Sequence, residues 1–232
     1  MAVTYRALAL FLTYPDEALQ AGARDYVEAI RSEGLVPEPL IRALGKLAER
    51  LASGDLYELQ EDYVQLFDRT RSLSLNLYEH VHGESRDRGQ AMADLVELYQ
   101  RGGLELDARE LPDFLPVFLD YLSTRPEAEA ASLLGEAAHV LEAMAERLKT
   151  RGSPYRAVFG ALGALSGGAD DQAVAALLAE PDENPDDLEA LDRAWEETAV
   201  TFGPGEAGCP KAEALVAAMR ATPDAAAPAR SA

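Results

Sequence analysis

Cysteine is almost missing from this 232-residue chain: Cys209 is the only one. That excludes an internal disulfide and any multi-cysteine metal centre, and it makes a reducing compartment, the cytoplasm, the expected location. Bases are scarce as well. Twenty-one lysines and arginines face 41 acids, for a net charge of −20. Nucleic acid and anionic membranes are poor candidates as main partners, because neutralising phosphates needs a basic face. Long apolar runs are also lacking. The hydrophobic fraction is an ordinary 48%, yet no stretch is long enough and uncharged enough to span a bilayer. A secretory signal is not evident: Arg6 is the only base before the short Ala7–Leu12 run, and no small-residue cleavage site follows. β-branched residues are sparse, and no alternating run is bounded by hairpin dipeptides, so strands are not expected.

Catalytic signatures are equally thin. No Gly-Lys-Ser/Thr loop, Gly-x-Ser-x-Gly elbow or His-Glu-x-x-His occurs, and Cys209 lies beside a proline with no histidine near it in sequence. Of the three histidines, His139 falls in the middle of a helical stretch. His80 and His82 lie two residues apart, so they cannot share a helix face. A metal-dependent hydrolase built on His80, His82 and Glu84 is the alternative reading, and it would need at least one distant ligand. The primary reading is a binding protein, not an enzyme, with no cofactor of its own.

What is present is helix. Val3 to Leu12 is short and apolar and breaks at Tyr14-Pro15-Asp16. Glu17 to Arg31 ends at Gly34, and Pro37 to Leu51 carries Leu40, Leu44, Leu47 and Leu51 on one stripe. Asp55 and Glu58 form a capping-box pattern ahead of Leu56, Leu59, Tyr63, Leu66 and Phe67. Leu111, Leu115, Phe118, Leu119 and Leu122 are expected on one side of a short helix. Thr124-Arg-Pro-Glu127 is expected to cap the longest helix, running to about Lys149. Further helices are expected from Ser153 to Leu165, Asp170 to Ala179, Asp187 to about Thr198 and Lys211 to Arg220. The expected fold is all-α, a single helical-bundle domain of roughly eight to ten helices. Its expected parts are a core over 1–168, an acidic helical extension over 169–220 and a disordered tail over 221–232.

The densest signal is Leu77-Tyr-Glu-His-Val-His-Gly-Glu-Ser-Arg-Asp-Arg-Gly-Gln-Ala-Met92. It places Arg86 and Arg88 in the first turn of a helix that continues through Leu95, Leu98 and Tyr99 to Gly102-Gly103. Cations there oppose the helix macrodipole, so something outside the helix is expected to use them. With Tyr78, Tyr99 and Phe114 nearby, the pattern suits a groove that accepts a peptide helix. The acidic charge would draw a basic segment toward it.

That motif, with Gly102-Gly103-Leu104, Glu110-Leu-Pro-Asp-Phe-Leu-Pro116, Leu8–Pro15, Glu58–Phe67 and Trp195-Glu-Glu to Phe202-Gly203, resembles the NarJ branch of the TorD/DmsD family of molybdoenzyme chaperones. The resemblance covers most of the chain except the tail. It implies an all-helical chaperone whose partner is the N-terminal segment of the nitrate reductase catalytic (alpha) subunit. Such a chaperone holds that subunit for molybdenum-cofactor insertion and delays membrane docking. It does not itself insert into the membrane, and it is expected as a monomer or weak dimer. The expected peptide-binding residues are Tyr78, Glu79, His80, His82, Glu84, Arg86, Arg88, Gln90, Tyr99, Asp113, Phe114 and Pro116. One departure stands out: the wider family often has Asp-His where this chain has Asp113-Phe114. A nucleotide-related role for that histidine therefore has no counterpart here, and Phe114 offers an apolar contact instead.

Overall fold

The computed structural model describes residues 2–81, 86–106, 110–182 and 187, with the side chains of 86 and 87 left out. The chain divides into a unit of Met1–Asp187 and a remainder of Leu188–Ala232. The helices expected at 187–198 and 211–220, the tail and Cys209 lie outside the described residues.

Eleven α-helices stand among the described residues: α1 Val3–Phe11, α2 Glu17–Glu33, α3 Glu38–Ser53, α4 Leu56–Tyr63, α5 Leu77–Val81, α6 Arg86–Arg101, α7 Leu115–Ser123, α8 Glu127–Glu136, α9 Ala138–Thr150, α10 Arg156–Ser166 and α11 Asp171–Ala179. The fold is all-α, and the only β pairing described is a single antiparallel bridge between Asn76 and Phe114. Local chemistry sets many of the boundaries. The Asp16 carboxylate accepts from Leu19 N–H at 2.7 Å to start α2, and Gly34 ends it at φ 75°, a left-handed conformation that suits glycine. Asp55 and Asp170 cap α4 and α11 in the same way.

Helix α1 lies at the centre of the bundle. It packs against α2, α7 and α10 and buries Tyr5, Leu8 and Phe11 almost completely. Its own sequence supplies no cap. Instead the Glu33 carboxylate, from the end of α2, accepts from Val3 N–H at 3.1 Å and Thr4 N–H at 2.7 Å. Helices α2 and α3 form an antiparallel pair whose Ile30, Leu44, Leu47 and Leu51 are fully covered. After α4 the backbone widens into a π turn over Val64–Asp68, where Arg69 N–H reaches Val64 O.

Three expectations require correction. The stretch expected as the longest helix is two helices, α8 and α9, parted at Ala137 (φ −95°, ψ 1°). Its Ala, Glu and Leu residues favour helix throughout, so tertiary packing overrides local preference: α8 lies on α7 and α10, α9 on α10 and α11. This division takes the count beyond ten. Thr124 does not cap α8. Its hydroxyl donates to Tyr121 O at 2.7 Å and closes α7, while Pro126 takes the cap position. Leu111 falls in the turn before α7 and is 48% exposed, because α7 begins only at Leu115. Helix α11 packs on α9, where Arg147 holds it as described below.

Candidate peptide-binding site

The two halves of the central motif are tied by backbone. Residues 75–77 run beside 113–115 through the Asn76–Phe114 bridge: Leu77 N–H donates to Asp113 O at 3.0 Å, and Leu115 N–H donates to Leu75 O at 2.8 Å. Leu75, Leu77 and Leu115 anchor the pairing in the core. Asp113 is wholly buried. Its Oδ2 accepts from Tyr78 N–H at 3.0 Å, while Oδ1 has no hydrogen-bond partner among the described residues. Burial pushes the Asp113 carboxyl above the usual aspartate range, and the Tyr78 N–H and the Arg88 charge pull it partly back.

Around this clasp the expected residues separate into groups. Tyr99 is buried, donates through its hydroxyl to Pro112 O at 2.6 Å and packs against the Tyr121 ring at 4.9 Å, tilted by 48°. Together with half-buried Phe114 and buried Pro116 it lines an apolar groove of about 560 Å³. Leu10, Leu106, Val117 and Tyr121 complete the floor, and Glu105, Glu110 and Asp120 stand on the lining. Arg6 is the one base among the lining residues and sits 3.6 Å from Asp120.

Tyr78 faces a different groove of about 430 Å³, shared with Val81, Leu98, Phe118, Leu133 and Val140. Glu79 and Arg88 pair with each other at 3.3 Å. The Arg88 charge that the macrodipole opposes is therefore met by a neighbouring acid. His80 donates through Nε2 to Ser74 O at 2.8 Å, and burial pulls its pKa down, partly opposed by that hydrogen bond. Gln90 is exposed and bonds Asp94 at 2.7 Å. Arg86 opens α6, and its side chain, like His82 and Glu84, lies outside the described residues. Tyr99, Phe114 and Pro116 thus meet in one groove. Tyr78 looks into the other, with the Asp113 clasp joining the two segments.

This motif, in this helical frame, agrees with comparison to known proteins. A family model described as the nitrate reductase delta subunit matches residues 33–161. The chain belongs to the nitrate reductase delta subunit family. This family member is 45% identical, over 82% of its length and 81% of the relative's, to the nitrate reductase molybdenum cofactor assembly chaperone NarJ of Escherichia coli (strain K12). It is 40% identical, over 85% and 82%, to the probable chaperone NarW of the same strain. It is 29% identical, over 66% and 82%, to the probable chaperone NarJ of Bacillus subtilis (strain 168). Relatives that share most of their length with it are thus named as assembly chaperones, and this delta-family chain is a chaperone, not an enzyme. The relatives' names do not support the metal-hydrolase alternative.

Two contributions escaped the motif. Arg6 and Leu10 of α1, and Thr13 just after it, line the Phe114 groove, although α1 reads only as a short apolar helix. Arg147, in α9, is 5% exposed and donates to Ser72 O at 2.9 Å, Leu177 O at 2.7 Å and Glu180 O at 3.3 Å. A signal for it did exist: Arg147 follows Val140 and Met144 on the apolar stripe of its helix, where a surface base would not fall. Among the described residues, no helix is long and apolar enough to cross a membrane.

Proposed function

We propose that this delta-family chaperone binds the N-terminal segment of a respiratory nitrate reductase catalytic subunit in the cytoplasm. It keeps that subunit competent for molybdenum-cofactor insertion and delays its membrane attachment. The supporting observation is the convergence of Tyr99, Phe114 and Pro116 on an apolar groove bordered by Glu105, Glu110 and Asp120. An amphipathic helix with basic residues on its flanks matches that surface: its apolar side chains fill the floor and its bases meet the acids.

The test is a calorimetric titration of the whole chain with a synthetic peptide of the catalytic subunit's N-terminal segment. Phe114→Ala removes an aromatic contact from the floor and is expected to weaken binding by about 1–3 kcal/mol, the usual cost at an aromatic anchor. Tyr78→Ala probes the second groove in parallel. Unchanged affinity in the Phe114 variant, with the helical spectrum intact, would overturn the groove assignment. Loss of affinity in the Tyr78 variant alone would move the peptide to the other side of the clasp.

A further inference from the structure

Arg125, half-buried just after α7, directs its guanidinium at neutral groups. Its Nη2 donates to Gly102 O at 2.9 Å, and its Nε and Nη2 both donate to Thr124 Oγ1 at 3.1 Å. Its Cζ stands 4.9 Å from the centre of the Tyr121 ring, within the range of a cation–π contact. Among the described residues no carboxylate pairs with it, although the chain holds 41 acids.

The acceptor it reaches lies at a helix end. Helix α6 stops at Arg101, so Gly102 O falls past the last turn, where carbonyls lack a partner within the helix and the macrodipole favours a cation. Glycine is what permits the approach: a Cβ at 102 would lie 2.6 Å from Tyr121 Cε2 and 3.3 Å from Arg125 Nη1. The end of α6 is thus docked on α7 at a junction of Gly102, Tyr121 and Arg125.

Arg125 does not itself line the Phe114 groove, but what it holds does. Tyr121 is on the lining and packs against Tyr99, whose hydroxyl reaches Pro112 O, two residues before Phe114. From the end of α6 the chain turns at Gly103, φ 80°, and brings Leu104, Glu105 and Leu106 to the same lining, with Leu104 N–H donating to Tyr99 O at 3.0 Å. One wall of the groove starts from that junction.

We propose that Arg125 is a positioning residue for peptide binding: by docking α6 on Tyr121 it sets the wall of Tyr99, Tyr121 and Leu104 to Leu106 before the peptide arrives. This rests on the groove reading given above. A wall fixed in advance spares the ordering cost that binding would otherwise carry. Lysine is no substitute, because its ammonium lacks both the planar face that covers a ring and the fork that reaches two acceptors at once.

The experiment titrates the whole chain, Arg125→Met, Arg125→Lys and Phe114→Ala with the same synthetic peptide by calorimetry. Each is held well below its melting temperature, where the chain is folded and a global loss of stability leaves Kd unchanged. The expected Kd is about tenfold weaker in both Arg125 variants, as loss of one charge-assisted bond together with a ring contact gives. Amide exchange in the free chain separates local from general loosening: Leu104 N–H should exchange faster, while Leu44 in the α3 core keeps its protection. If Arg125→Met melts too early to titrate, Arg125→Lys carries the test alone. A wild-type Kd in Arg125→Lys beside a weakened Phe114→Ala would overturn the positioning role and leave the groove standing. Equal loss of protection at Leu44 would overturn it too, by assigning Arg125 to general stability. An unchanged Kd in all three variants would remove the groove reading and the positioning role with it.

Discussion

Replacing Arg147 with methionine keeps most of the side chain's length and apolar bulk and removes the guanidinium. Three carbonyls then lose a charged donor: Ser72 O in the 3₁₀ turn, and Leu177 O and Glu180 O at the end of α11, of which Leu177 O keeps the Glu180 N–H at 3.2 Å. The contacts at 2.9 and 2.7 Å are strong, and the one at 3.3 Å is marginal. Bonds to a charged donor contribute roughly 1.5–3 kcal/mol each, and two that share one guanidinium do not add fully. The expected loss is about 3–5 kcal/mol, or roughly 6–20 °C in melting temperature for a chain of this size. Urea denaturation gives the loss directly. Amide exchange locates it, because α11 touches the rest of the bundle mainly through α9 and should lose protection first. A loss below about 1 kcal/mol, with α11 amides still protected, would refute the clamp and mean that the carbonyls are as well served by water.

Other outcomes are expected from the same geometry. The carboxyl carbon of Asp113 should titrate above the ordinary aspartate range, because burial favours its protonated form. Its contribution to stability is then greatest below the unfolded aspartate pKa and declines as pH rises through the folded value; a midpoint at or below the ordinary range in a carbon-13 titration would contradict this. Gly102→Ala puts a methyl carbon 2.6 Å from Tyr121 Cε2 and should cost about 1–3 kcal/mol in thermal or urea melts, since Tyr121 is fixed between Tyr99 and Arg125. Peptide association should slow as salt rises while dissociation changes less, because the acidic rim acts mainly through encounter; a salt-independent on-rate in stopped flow would restrict the charge to solubility.

Much of the bundle was legible in the chain. Asp16 and Gly34 bracket α2, Asp170 opens α11 and Gly103, at φ 80°, follows α6, because caps act within a turn of the residues that carry them. The split at Ala137 was not legible. No residue there disfavours helix, and only the separate packing of α8 and α9 explains it. The cap that Glu33 places on α1 comes from 29 residues away and has no local pattern. The site behaved likewise. Tyr99, Phe114 and Pro116 could be singled out by type and neighbourhood, but their separation from Tyr78 depends on which face of the clasp each side chain takes.

The position of α1 has a consequence for synthesis. It leaves the ribosome before every helix it packs on, and its apolar neighbours α7 and α10 follow only after Ser123 and Ser166 have been made. At about 5–20 residues per second, α10 trails α1 by roughly 8–30 s. Until α7 is made, Leu8 and Phe11 have only α2 for cover, and α10 completes that cover last. A protein that shelters another chain's unfinished segment thus passes through an unfinished stage of its own, and a nascent chain arrested before α7 should remain protease-sensitive in α1 until synthesis resumes.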